Sequence, residues 1–404
     1  MEGDSLYLPM NHYTIRHATE ADIPTMMGLI DHSRMLMRAD GNTAQWVGYP
    51  TRAGLLLDVE RQVSYLMLDG NEAVGTFALV PGDEPTYAFI DHGRWIDTAT
   101  PYATLHRIAK AEGRHGIAAA AFAFAKSAHT HLRIDTHASN RPMRHVVGNA
   151  DFIECGVIYM PDGSPRLAYE WWRWDEVQSS LQEYVSREVL PRYDSFDSAH
   201  RRDHALRVIA RSMTLYRHLR ERLAPPTAPI ATLMPELVYA AAAMHDLGLV
   251  EGRDEHHLAS GRIVRNCREL RCWFDENQVE IIAQAVEDHR ASASMPPRSV
   301  VGRIVAEADR DVEPERIVRR TVDYSLSHYP SLDREGHWRR TLGHLNEKYA
   351  AGGYIKLWLA DSPNAAPLDE LRALIADEPR LRQLFDSIIN DNYNHKVESA
   401  KWKP

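Results

Sequence analysis

The sequence predicts two domains of different class: an α/β domain with a mixed central sheet, followed by an all-α helical domain. Between Tyr13 and Trp172, short β-like runs alternate with helical stretches. From Asp197 onward the β signals vanish and apolar residues recur at three- and four-residue spacing, the period of a helix face. The length, 404 residues, is more than one hydrophobic core serves.

In the first half, an apolar run through Leu66 leads into Asp69-Gly70-Asn71, a hairpin signal, and Ala73 to Val80 returns as the partner strand. Tyr87 to Ile90 precedes Asp91-His92-Gly93. Tyr102 to Ala109 reads as a strand and residues 114–129 as an alanine-rich helix. His131 to His137 is the next strand, Asn140 to Asn149 a helix, and Phe152 to Met160 a strand. Asp162-Gly163 turns the chain into a closing strand, Arg166 to Trp171. Residues 176–190 read as a connecting helix. Helical segments then follow near 200–223, 234–248, 256–272, 276–290, 298–309 and 313–327, punctuated by Pro225-Pro226, Pro229, Pro296-Pro297, Pro330 and Gly352-Gly353. The domain plan is an extension over 1–12, the α/β domain over 13–172 and a linker over 173–195. The helical domain follows over 196–330, with a helical extension over 331–390 and a polar tail over 391–404. No fixed period repeats, which argues against a solenoid.

Composition excludes several classes. An apolar fraction of 44% and a charged fraction of 25% are globular values. The net charge is −9 and both halves are acidic, so bulk nucleic-acid binding is not expected. The longest apolar runs, Gly116 to Ala125 and Leu237 to Met244, fall short of the roughly 20 residues a bilayer needs. Met1-Glu2-Gly3-Asp4 lacks a secretory pattern, and three Cys make no disulfide framework. A cytoplasmic protein without membrane contact is the expectation, with a homo-oligomer left open.

In the first half, Glu112-Gly113-Arg114-His115-Gly116-Ile117-Ala118 joins a strand to a helix. Unpaired N–H groups and the helix dipole make such a start an anion site, and glycine lets the backbone approach closely. An ordinary glycine turn is the alternative. Around it stand Gln45-Trp46, Gly48-Tyr49-Pro50, Thr86-Tyr87, Gly93, Trp95, Thr104 to Ala109, Ile134 to His137, Asn140, Met143, Phe152, Cys155-Gly156 and Asp162-Gly163. With these, residues 13–172 resemble a bacterial branch of the GNAT acetyltransferase superfamily. The resemblance implies acetyl-CoA or another acyl-CoA as cofactor. Arg114, His115, Gly116, Ile117 and Ala118 would cradle its pyrophosphate, the strand through Ile108 would splay around the pantetheine, and Asn140 would help to place it. The tyrosine that often protonates the departing thiolate in that superfamily falls at Val147. His106, His137 and Tyr159 are candidates for the base acting on an unidentified amine acceptor, or are structural residues of their strands.

In the second half, Leu237 to Met244 has almost no polar face and runs directly into His245-Asp246. An imidazole and a carboxylate ending a buried helix need compensation, which a shared cation supplies. The alternative is a solvent-facing helix end before Gly248. His204 lies upstream, four residues after His200; His256-His257, His289 and Asp309 lie downstream. Mixed His/Asp donors suit Mn, Fe, Zn or Mg. The order His204, His245-Asp246, Asp309 resembles the HD superfamily of metal-dependent phosphohydrolases over about residues 194–330. In members holding two metals, two further His lie between the pair and the last Asp. His257 and His289 match that pattern, with Asp246 bridging; His256 then reads as a surface residue and His200 as facing solvent or substrate.

The resemblance implies one or two divalent ions, with His245 and Asp246 in the reacting centre and a small phosphate ester or nucleotide as substrate. Arg290, Arg298 and Arg310 are candidates to bind its phosphate, or are surface ion-pair residues. Arg201-Arg202 and Arg319-Arg320 read as solvated helix faces. The expected whole is a bifunctional acyltransferase and phosphohydrolase. Two other readings remain: a phosphohydrolase carrying a non-catalytic acyl-CoA sensor, and a regulatory protein that binds nucleotide and CoA without turnover.

Overall fold

The computed structural model describes residues 13–197, 199–222, 233–290, 295–360 and 362–401. The extension over 1–12, the Pro225-Pro226 and Pro229 punctuation and the last residues of the polar tail lie outside them. The chain forms two compact units, divided after Asp175.

The first unit is a seven-stranded sheet in the order β1-β2-β3-β4-β5-β7-β6. Its strands are β1 Thr14–His17, β2 Ser64–Asp69, β3 Glu72–Pro81, β4 Ala103–Lys110, β5 His131–Thr136, β6 Ile153–Tyr159 and β7 Pro165–Trp172. All neighbours are antiparallel except β4 and β5. Helices α1 Ile23–Ala39, α2 Arg52–Glu60, α3 Ile117–Ala128 and α4 Arg141–Asn149 complete the unit. The hairpin at Asp69-Gly70, the alanine-rich helix and the closing hairpin follow the sequence pattern. Residues 85–87 form a 3-10 turn, since Pro85 offers no ladder donor. The buried core threads Phe77, Leu105, Ile117, Phe122, Leu132 and Phe152 between the sheet and α3.

Parallel pairing of β4 with β5 is confined to Ala103↔Leu132 and Thr104↔Arg133. Beyond these residues the two strands part. On its other side β4 carries an irregularity where Ala78 faces His106 and Thr76 faces Ala109, and Arg107 there takes φ +56°. An extra residue in one strand bends it away from its neighbour.

The second unit is helical. A short helix α5 Ser179–Tyr184 continues through a π turn and a 3-10 turn to Ser195. Next come α6 Arg202–Arg222, α7 Pro235–Met244, α8 His256–Asn266, α9 Glu276–Glu287 and α10 Val300–Ala308. Helix α7 is buried along its whole length, as its apolar sequence predicts, and packs against α6, α9 and α10. The last group is α11 Pro314–His328, α12 Arg334–Tyr349, α13 Ala365–Ala376 and α14 Glu378–Lys401. These four share a core built on Val318, Trp338, Leu345, Leu371 and Phe385. Helix α14 runs to Lys401, past residue 391 where the sequence reading begins a tail.

Buried Glu307 ties the two helical groups together. Its carboxylate accepts from the Trp358 and Leu359 N–H groups at 2.9 and 3.0 Å and from the Ser362 hydroxyl. Beside it the Arg310 guanidinium donates to the Lys356 carbonyl.

Candidate metal centre

Four helix ends and the first turn of α6 converge on one point. His204 sits in the first turn of α6, His245-Asp246 follow α7, and His256 opens α8. His289 follows α9, and Asp309 caps α10. Buried Tyr193 fixes the central pair: its hydroxyl donates to the Ala243 carbonyl at 2.8 Å and accepts from the Asp246 N–H at 3.3 Å.

The donor atoms form two sets that share Asp246. In the first, His204 Nε2 lies 3.2 Å from His245 Nε2, 3.5 Å from Asp246 Oδ2 and 3.2 Å from Asp309 Oδ1. His245 Nε2 is 3.2 Å from Asp246 Oδ2 and 3.9 Å from Asp309 Oδ1. In the second, His256 Nε2 and His289 Nε2 are 3.2 Å apart and lie 3.4 and 3.3 Å from Asp246 Oδ1. Ligands about 2.0–2.2 Å from one ion are about 3–3.5 Å from each other, so both sets have the spacing of a coordination sphere.

Tautomers support the same fit. The Nδ1 atoms of His245, His256 and His289 face the carbonyls of Ala242, Arg253 and Val286, each three residues earlier. A nitrogen facing a carbonyl carries the hydrogen, so each neutral ring turns a bare Nε2 lone pair inward. In the His256–His289 pair the two Nε2 atoms face each other at 3.2 Å, an approach that needs a proton or a cation between them. A cation resolves that opposition, and these carbonyl partners orient the rings for it. Electrostatics agree: burial alone would push His204 down, but Asp246 and Asp309 hold it up to about 9. Burial opposes charge on Asp246 too, yet the surrounding His245, His204 and His289 keep it well below the usual carboxylate range. The carboxylates demand positive charge between them.

His204, His245, Asp246, His289 and Asp309 therefore meet as one cluster. His257 does not join it. Helix α8 aims the preceding residue, His256, at Asp246 and leaves His257 beside it, its ring 5.7 Å from that of His256 and its Nδ1 buried without a hydrogen-bond partner among the described residues. The register follows from Gly248. Its N–H donates to Ser260 Oγ at 2.8 Å, and a Cβ there would stand 2.0 Å from the His256 carbonyl oxygen. Gly248→Ala must push α8 away. We expect a loss of about 1–3 kcal/mol in thermal unfolding and selective loss of metal from the His256–His289 side in elemental analysis.

Arg290 is exposed, and its guanidinium donates to the Asp254 carbonyl at 2.8 Å, in the turn before His256. Arg298 pairs with Glu287 and Asp288. Arg310 does line the cleft of about 380 Å³ that reaches His204 and Asp309. So does Arg320, which the sequence reading assigns to a solvated face.

In the first unit, Gly113 and Gly116 take φ +66° and +75°, conformations that favour glycine, and Gly116 caps α3. The first-turn N–H groups of Ile117 and Ala118 have no carbonyl within the helix to reach. Arg114 has its side chain engaged by Asp69 and Glu72, and the His115 carbonyl accepts from Tyr13 Oη at 3.0 Å. Ile108 stands in the β4 irregularity, partly buried against the core. Asn140 caps α4 through Met143 N–H and donates to Gln45 Oε1 at 2.9 Å. Val147 is fully buried in the core. His106 pairs with Glu84 at 3.3 Å, His137 Nδ1 accepts from the Ser139 N–H, and the Tyr159 hydroxyl donates to Asp91.

Residues 201–312 match the family model of the HD domain, which places the cluster in an HD domain within the helical unit. The first unit is similar to solved GNAT acetyltransferases. One from Streptococcus agalactiae is 28% identical, covering 40% of this chain and 96% of that chain with a TM-score of 0.38. The ribosomal-protein-alanine N-acetyltransferase of Brucella melitensis is 20% identical, covering 40% and 99% with a TM-score of 0.29. An N-acetyltransferase of Staphylococcus aureus is 17% identical, covering 40% and 99% with a TM-score of 0.28. No match is found among the curated proteins. Among the described residues, no helix is long and apolar enough to cross a membrane.

Proposed function

We propose that the helical unit is a metal-dependent phosphohydrolase acting on a small phosphate ester or nucleotide, with Mn, Fe, Zn or Mg at the cluster. The observation that carries this reading is the convergence of four imidazole Nε2 atoms on the two oxygens of Asp246, at 3.2 to 3.5 Å. His204, His245, Asp246 and Asp309 would hold one ion, and Asp246, His256 and His289 a second. Bound divalent metal lowers the pKa of water toward neutrality and polarises a phosphoryl oxygen. The chain's own part is positioning: backbone carbonyls lock three imidazoles, Tyr193 locks Asp246, and Arg310 presents positive charge beside Asp309. The test is phosphate release from a panel of nucleotides and nitrophenyl phosphates with added Mn. Metal-dependent release absent in Asp246→Ala supports the reading; no release from any panel member with any of the four metals refutes it.

For the first unit we propose acyl-CoA binding at the Gly113–Ala118 loop and the gap where β4 leaves β5. One observation favours sensing over acyl transfer. Val147, buried in the core, offers no proton to a departing thiolate. Acetyl-CoA binding by calorimetry without CoA release across an amine panel fits a sensor; CoA release restores the bifunctional reading.

A further inference from the structure

Three helices crowd like charge onto one cleft. Helix α6 contributes Arg207 and Arg211, α11 contributes Arg316 and Arg320, and α12 contributes Arg340, His344 and Lys348. Each set is spaced i, i+4, a spacing at which like charges repel on a helix surface. They line a cavity of about 700 Å³ that also reaches His204 and Asp309. The size suits a nucleotide-sized ligand. Helices α11 and α12 lie beyond residue 312, outside the HD match, so the HD family model leaves their part of the wall unassigned.

Four carboxylates, those of Asp203, Asp309, Asp311 and Asp323, line the cavity against five guanidiniums and one ammonium. Asp311 serves three guanidiniums, those of Arg316 at 2.7 Å, Arg211 at 3.3 Å and Arg320 at 3.9 Å. Asp203 and Asp323 also line the cavity. Lys348 rests 5.1 Å from the Tyr349 ring, and Arg340 lies over Tyr329 at 4.2 Å and Tyr324 at 5.1 Å. Neither has a carboxylate partner among the described residues. Guanidiniums held against aromatic faces keep their N–H groups for a planar or tetrahedral anion.

We propose that Arg320, Arg340 and Lys348 bind a second phosphoryl group of the substrate, so that the metal centre acts on small molecules carrying two phosphate groups. The proposal rests on the phosphohydrolase reading for the first phosphate, and the two are separable. Inorganic pyrophosphate is titrated calorimetrically into the full chain after metal is stripped on a chelating resin. Saturable binding is expected, weakened at least tenfold in the double variant Lys348→Gln/Arg340→Gln and restored in Lys348→Arg/Arg340→Lys. Arg262→Gln, whose exposed guanidinium is occupied by Glu251, leaves binding unchanged. No binding by the native chain, or binding within twofold in the double variant, overturns the anion site.

With Mn added, the double variant is expected to raise KM for adenosine 3′,5′-bisphosphate at least tenfold and to leave KM for AMP within twofold. An equal shift in both means a separate effector anion and overturns the substrate assignment. Absence of phosphate release alongside intact, variant-sensitive pyrophosphate binding refutes the hydrolase reading and leaves the anion site standing.

Discussion

Asp246→Asn is expected to strip metal from both halves of the cluster, because Asp246 is the residue they share, Oδ2 facing one set and Oδ1 the other. Elemental analysis of chelator-free protein should fall from the proposed two ions per chain to less than about a tenth of that, given that even an outer-shell partner is typically worth 10–100-fold in affinity. Phosphate release should drop by at least about a thousandfold, the scale of losing the metal-bound nucleophile. Two neighbours supply the contrast. His256→Ala should lose the ion shared with His289 and keep the other, whereas His257→Ala should keep both. Retention of full metal content in Asp246→Asn would sink the shared-carboxylate geometry.

Glu170→Ala is expected to be the most damaging single change in the first unit. Its carboxylate is fully buried, accepts from Arg133 Nε at 2.9 Å and the Ile96 N–H at 2.7 Å, and lies 3.1 Å from His131 Nε2. Arg133 lies 4.0 Å from both the Trp95 and Tyr102 rings, and His131 stacks on Trp172 at 3.6 Å. Removing the anion leaves the guanidinium buried and uncompensated, which costs about 3–5 kcal/mol. For a unit of this size the melting transition in calorimetry of the full chain should fall by about 10 °C. The exposed pair Arg173–Asp175 is the control, with Asp175→Ala changing stability by less than about 1 kcal/mol. A fall of under 2 °C in Glu170→Ala would mean that the pair is dispensable.

Much of both folds is legible in the chain because period and punctuation agree. Asp69-Gly70 sits where the hairpin turns, and the apolar stretch before His245 is buried on every side. Most of the His/Asp cluster is legible for a similar reason: charged and imidazole groups at the ends of apolar helices have nowhere else to find compensation. His256 was hidden because it adjoins His257, and the small stripe of Ala259, Ser260 and Gly261 lies beneath both. Only the contact of Gly248 with α8 decides which of them faces Asp246. Tyr193 carries no periodic signal, since its role depends on a hydroxyl reaching a helix end fifty residues later. The i, i+4 spacing of Arg340, His344 and Lys348 in α12 stands in the sequence but by itself marks only a charged helix face. Its convergence with α6 and α11 is tertiary, and without that Arg320 reads as a solvated residue.

The shared Asp246 also sets an order of filling. Under the two-ion reading, the His204 side offers Asp309 and half of Asp246, whereas the His256 side offers two neutral rings and the other half. A first ion would then settle beside Asp309. It would draw on the common carboxylate and repel a second, which would bind more weakly by an amount each ion feels equally. Scarce divalent metal would leave the chain half-loaded, and the repulsion would spread the loading over a wider range of free cation.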